Sequence, residues 1–259
     1  MREFRSLTNS SECTKNRILN IIHAEKDFVV VNKPAGVLVH RTTKSAEPAL
    51  ADELVKKYPD MKGVGDAPDI RPGVVHRLDR DTSGIVVFAR TQAFYDHLKE
   101  CFKTGAVKKT YRALVWGETP PRGVIDIPIG LKPGTTKRSV KARNMKMIKE
   151  AKTEYVLDKV LECDGKTFSL LTIHPHTGRT HQIRVHLLAI HHAVVGDELY
   201  GRRENPFGLK RQFLHADTIE FPLPAVAGAK ADSFEGRRAS FGADFPEDLQ
   251  AVLGLLTEK

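Results

Sequence analysis

No apolar run in this chain approaches the roughly 18 residues that a membrane-spanning helix needs. The opening MREFRSLTNSSECTKNR lacks the apolar core of a secretory signal. Cysteine is scarce: Cys13, Cys101 and Cys163 are odd in number, far apart and without CxxC spacing, so neither a disulfide framework nor a zinc site is expected. A glycine-rich nucleotide fingerprint, internal repeats, low-complexity tracts and a convincing linker are missing as well. These absences favour a cytoplasmic protein, with a reducing organelle lumen the other compartment left open, and no membrane contact or metal site; a monomer is expected.

Acidic residues are nearly missing from one segment. Between Lys132 and Lys152 the cations are Lys132, Lys137, Arg138, Lys141, Arg143, Lys146, Lys149 and Lys152, against Glu150 alone. A smaller cluster, Arg202, Arg203, Lys210 and Arg211, lies further on. The net charge of +9 and a pI near 9.4 point to a polyanionic partner. With 259 residues, 41% of them hydrophobic, the chain can bury a substantial core.

Charge is concentrated differently in RPGVVHRLDRDTSGIVVFAR, residues 71–90. Here Arg77, Asp79 and Arg80 are compressed between two apolar runs, entered by Pro72-Gly73 and turned by Thr82-Ser83-Gly84. A carboxylate flanked by arginines stays ionised when partly buried, because neighbouring positive charge offsets its desolvation. Such a group serves as a base or nucleophile, or simply staples a loop, and residue types alone leave both open.

HRLDRDTSG at 76–84 resembles the signature of the RluA-type pseudouridine synthases, which isomerise uridine to pseudouridine within RNA. VVVNKPAG at 29–36, KKTYRALVWG at 108–117 and HTGRTHQIRVHLLAI at 176–190 match that family in order, and GDELYG at 196–201 with LHA at 214–216 matches more weakly. The resemblance covers roughly residues 23 to 256. It implies an α+β fold with a mixed, largely antiparallel sheet and a catalytic cleft across it. It also implies a reaction without cofactor on ribosomal or transfer RNA, with the target base flipped out or already unpaired. Residues 1–22 form a loose lead-in and 23–259 the catalytic domain. Some relatives carry an N-terminal module of the S4 type, which a lead-in this short is not expected to supply.

By the same resemblance Asp79 is the catalytic carboxylate, Tyr111 stacks on the target base, and Arg184 pairs with Asp79. Arg77 enters the space left by the flipped base, with His76 in a supporting role. Ile183 contributes to the floor of the uracil pocket and is equally a core residue, and VNKPAG is mainly scaffold. Lys137, Arg138, Lys141 and Arg143 are expected to bind phosphates. Six histidines between His174 and His192 have no metal-site spacing, and RNA contacts or packing are expected of them. Two other readings remain at this stage: an idle RNA-binding or ribosome-assembly protein, and a single-carboxylate hydrolase, for which only Asp81 offers a second acid.

Patterning predicts strands over 27–31, 85–89, 108–116 and 124–129, a hairpin of 153–161 with 166–173 turned at Asp164-Gly165, and a strand over 212–221. Helices are predicted over 48–58, 91–104, 178–190 and 246–256, the third with Ile183, Leu187 and Ile190 as its buried stripe. The basic segment, lacking apolar periodicity, is predicted to be loop.

Overall fold

A computed structural model of the protein describes residues 19–42, 47–141, 144–201, 204–224 and 237–259. Its elements are β1 (Ile21–Ala24), β2 (Phe28–Lys33), α1 (Leu50–Lys57), β3 (Ser83–Ala89), α2 (Gln92–Lys103), β4 (Lys108–Trp116), β5 (Arg122–Asp126), β6 (Ile129–Leu131), β7 (Arg138–Ser139), β8 (Lys146–Lys149), β9 (Lys152–Cys163), β10 (Lys166–Pro175), α3 (Gln182–Ala189), β11 (Leu214–Pro222), β12 (Arg238–Gly242), α4 (Glu247–Leu253) and β13 (Thr257–Glu258). The large sheet runs β1-β2-β3-β11-β4-β10-β9-β13, with β12 beside β11 and β5 beside β9. Its pairs are antiparallel except β3 with β11. The α+β fold with a largely antiparallel sheet is therefore present.

Phe28 to Val31 and Ile85 to Ala89 are continuous apolar runs because β2 and β3 are covered on both faces. Val29, Val31, Val86 and Phe88 pack with Leu50 and Leu54 of α1, while Phe28, Val30, Ile85 and Val87 pack with Phe94 and Leu98 of α2. Thr91 caps α2 by accepting from the Phe94 N–H at 3.4 Å. Across the sheet, Ile183 and Leu187 of α3 and Leu249 and Val252 of α4 close the core over β4 and β10.

Gly84 fixes where the signature loop meets the sheet. It has φ +116°, and a Cβ there would stand 2.1 Å from the Ala216 carbonyl oxygen, at the parallel junction of β3 and β11. Only glycine lets the two backbones approach so closely. The loop that precedes it is thereby carried to the sheet centre, beside β11.

Three expectations are corrected. The boundary between residues 22 and 23 cuts through β1, which pairs with β2, so the sheet begins before residue 23. The basic segment is not all loop: β6 pairs with β7 and with β8 in a separate three-stranded sheet. These strands hold two to four residues, too few for periodicity to register. Finally, α3 starts at Gln182 rather than at 178 and is not amphipathic. Gln182 through Leu187 are all buried, whereas Ile190 is only partly so.

Candidate active site

The carbonyl oxygens of three successive residues hold the signature loop. Asp79 accepts from the Thr82 N–H at 3.1 Å, and Arg80 accepts from the Gly36 N–H at 3.0 Å and from Lys33 Nζ at 2.8 Å. Asp81 accepts from Arg211 Nη1 at 3.3 Å. Lys33, fully buried, also donates to the carbonyls of Pro34 and Val37 at 2.9 Å each, which uses all three ammonium protons. Burial lowers its pKa to about 7 against the opposing charges of Asp81 and Asp79. VNKPAG is thus the scaffold expected, and its lysine is the bolt.

Held in this way, Asp79 keeps its side chain 20% exposed on the wall of a cleft of about 620 Å³. Arg184 donates from Nη1 to Asp79 Oδ2 at 3.0 Å. The rest of that guanidinium is clamped by Asp197: Nε to Oδ2 at 2.6 Å and Nη2 to Oδ1 at 2.8 Å. Asp197 in turn accepts from the backbone N–H groups of Leu199 and Tyr200 at 2.9 Å each. Burial alone would lower the Arg184 pKa, but hydrogen bonds and charge from Asp197, with Asp79 behind it, raise it instead. The cation is therefore permanent.

Tyr111 reaches the same cleft from β4, where it pairs with Ile173 on one side and Ala216 on the other. Burial, reinforced by the Asp79 charge, raises its phenol pKa, so the ring is neutral. Leu78, Ile183 and Leu214 supply apolar lining. Arg77 stands exposed on the lining, its Nη1 3.5 Å from His40 Nε2. Asp79, Tyr111, Arg184, Arg77 and Ile183 are brought together in one cleft from segments far apart in the chain.

His76 is not brought to this cleft. Its Nε2 accepts from the Val87 N–H at 2.9 Å and its ring stacks on Phe102 at 4.9 Å. Burial, aided by the Lys109 charge, lowers its pKa to about 3. It is a neutral packing residue between β3 and α2. Lys137 and Lys141 are exposed and Arg138 half-buried, all outside the catalytic cleft, while Arg143, Arg202 and Arg203 lie outside the described residues. Arg138 lines a neighbouring cleft of about 490 Å³, with Met147 and Lys149, that adjoins the catalytic one through Gly178, Arg179 and Thr180.

Several site residues went unnoticed in the sequence. Asp197 sits in GDELYG, whose weak match was the available signal. Lys109 lines the cleft, donating to the Thr177 carbonyl at 3.4 Å, and burial lowers its pKa to about 8. His181 lies in HTGRTH with its Nε2 3.9 Å from Asp79 Oδ1. Among the described residues, no group of three or more histidine, cysteine or carboxylate side chains is placed to hold a metal ion, and no helix is long and apolar enough to cross a membrane.

Comparison with known proteins bears on this arrangement. The model of the RNA pseudouridylate synthase family matches residues 27–189, a span that holds Asp79, Tyr111 and Arg184. The chain belongs to that family. A Chloroflexus aurantiacus protein named as an uncharacterized RNA pseudouridine synthase is 39% identical over 88% of this chain and 66% of its own length. The ribosomal large subunit pseudouridine synthase D of Zymomonas mobilis is 32% identical over 92% of this chain and 73% of its own. The chain thus spans about two thirds to three quarters of the length of these relatives. Among solved structures, human RNA pseudouridylate synthase domain containing 1 superposes with a TM-score of 0.65 at 27% identity, covering 92% of this chain and 94% of that one. As an RNA pseudouridine synthase, the chain is an isomerase.

Proposed function

We propose that this synthase isomerises specific uridines of ribosomal RNA, with Asp79 as the reacting carboxylate. The observation that carries the reading is the Asp79–Arg184–Asp197 arrangement. RNA binding alone does not call for a partly exposed carboxylate facing a cleft and braced by a buried, doubly clamped arginine.

The isomerisation breaks the N1–C1′ bond of uridine and rejoins the base through C5. Three routes begin at the carboxylate: attack on the sugar, attack on C6 of the base, or removal of the C2′ proton to give a glycal. All three use an ionised oxygen. Arg184 takes Oδ2, and Oδ1 would be left for the substrate. Tyr111 would offer a ring face to a splayed-out uracil against the apolar lining, and Arg77, exposed on that lining, would fill the gap left in the RNA stack. A base still stacked in a helix cannot reach this wall, so flipping is part of the reading.

Arg138, Lys149 and Arg179, on the cleft that adjoins the catalytic one, would take phosphates flanking the target. The names of the Zymomonas mobilis and Yersinia pestis relatives, ribosomal large subunit pseudouridine synthase D, favour ribosomal over transfer RNA. The test is to incubate the protein with ribosomal and transfer RNA transcripts and map pseudouridine. Product at discrete ribosomal uridines is expected. Binding without product would return the chain to the idle RNA-binding reading, and product confined to transfer RNA would overturn the substrate assignment.

A further inference from the structure

Hydrogen bonds beyond the arginine pair link His181, which faces Asp79, to Tyr200. The Tyr200 hydroxyl oxygen accepts from the Arg138 backbone N–H at 2.8 Å and lies 2.9 Å from His181 Nδ1. A hydroxyl has one proton to give. With the hydroxyl proton given to Nδ1, the neutral imidazole carries its own proton on Nε2. Nε2 is the nitrogen that faces Asp79 Oδ1, at 3.9 Å. Among the described residues, Oδ1 has no partner within hydrogen-bonding distance, since Arg184 engages Oδ2.

We propose that Tyr200 and His181 form a relay that holds an imidazole N–H toward the free oxygen of Asp79, making Tyr200 a positioning residue for that carboxylate. This rests on the reading of Asp79 given above. The sign of the interaction depends on the tautomer. With the proton on Nε2 the ring presents a positive edge to Oδ1 and steers it, leaving a second lone pair for substrate. With the proton on Nδ1 the ring would present a lone pair to an anion and push it away.

Two further features agree. His181 has φ +57°, a left-handed backbone seldom adopted by residues with a Cβ, and strained conformations of this kind gather at functional sites. The Tyr200 ring also lies under the Arg184 guanidinium, 5.1 Å from centroid to Cζ, so one residue braces both partners of Asp79. The charged groups facing His181 are Asp79 from the signature loop, Arg184 from α3, Asp197 from the following turn and Arg138 from β7. Burial, the largest influence, lowers the imidazole pKa despite the Asp79 charge, which favours the neutral ring that the relay requires.

The experiment pairs a tautomer measurement with kinetics. In protein labelled with 15N-histidine, the two-bond couplings of the His181 ring should report the Nε2–H tautomer, and Tyr200→Phe should shift it toward a mixture. Tyr200→Phe keeps the ring under Arg184 and loses only the hydroxyl. Its single-turnover rate should fall roughly tenfold, in line with losing a hydrogen bond that supports a charged group, with RNA affinity within about twofold of wild type. The acid limb of its rate profile should move to higher pH, because Nδ1 is no longer occupied by a donor. His181→Gln retains an N–H near the Nε2 position without a titrating ring, and should keep more activity than His181→Ala. An Nδ1–H tautomer in the wild type would overturn the relay. So would a wild-type rate and profile in Tyr200→Phe, or a loss confined to RNA affinity. Asp79→Asn on the same RNA separates the two ideas. If it stays active the catalytic reading has failed, and if it is dead while Tyr200→Phe is normal only the relay has failed.

Discussion

Arg184 is shared by two carboxylates, and replacing each should produce opposite profiles of stability and activity. Asp197 has a fully buried side chain that clamps the guanidinium through two bonds and accepts two backbone N–H groups. Asp197→Asn is nearly isosteric, but it turns one acceptor oxygen into an NH2 aimed at another donor and leaves Arg184, 7% exposed, with one charge partner instead of two. Breaking a buried pair from one side costs about 3–5 kcal/mol, and the missing acceptor adds to this in the same sense. Asp79 is 20% exposed and contributes a single bond to an arginine that Asp197 still holds. Asp79→Asn should therefore cost no more than about 1 kcal/mol, the range of a partly solvated pair. Urea unfolding followed by fluorescence is a suitable assay, because Trp116 is the sole tryptophan and is 3% exposed. Asp197→Asn is expected to lower the midpoint well below that of Asp79→Asn. Equal midpoints, or a larger loss in Asp79→Asn, would refute the division into a structural and a reacting carboxylate.

Arg77→Ala should slow turnover more on a folded RNA than on a short single strand, because unstacking a base costs a few kcal/mol and a side chain filling the gap offsets part of it; equal losses on both would assign Arg77 another role. Replacing Lys137, Lys141 and Arg143 together with Gln should make the slope of log K against log salt shallower by up to about 0.9 for each phosphate no longer neutralised on duplex-like RNA, whereas an unchanged slope would mark the run as solvated surface. Lys33 has its folded pKa lowered to about 7 from 10.5, so between these values the unfolded chain binds the extra proton and stability rises with pH. In Lys33→Met that rise should flatten, measured as the difference in urea midpoint from wild type between pH 7 and 10, and the loss of one donor from each of the Pro34, Val37 and Arg80 carbonyls should lower stability at every pH.

The strands at the centre of the sheet were readable because alternation or continuous apolarity reports which faces are covered. Lys108–Trp116 was assigned residue for residue, and the Asp164-Gly165 turn located the β9–β10 hairpin. Helix α3 was misread because burial all around erases the stripe on which periodicity depends. The short strands β7 and β8 carry their information in pairing with β6, which no local pattern encodes. In the site, motif matches named Asp79, Tyr111 and Arg184 and the resemblance implied the Asp79–Arg184 pair, which spans 105 positions in the chain and which no local pattern encodes. Asp197 and Tyr200 were overlooked because their work is to hold other side chains. His76 was misassigned for the opposite reason: it adjoins Arg77 in sequence, but its side chain points between β3 and α2.

The most direct test of the central claim is single-turnover pseudouridine formation by Asp79→Asn, with RNA affinity measured in parallel. Asn fills the same space and still accepts a hydrogen bond from Arg184, yet is neither base nor nucleophile at neutral pH. Product formation should fall by at least about three orders of magnitude, as for loss of an essential reacting group. RNA affinity should be unchanged or slightly tighter, because a negative charge near the phosphate chain has been removed. Near-normal product from Asp79→Asn would contradict the assignment of this cleft as the catalytic site, and loss of RNA binding together with activity would make Asp79 a brace for its loop instead.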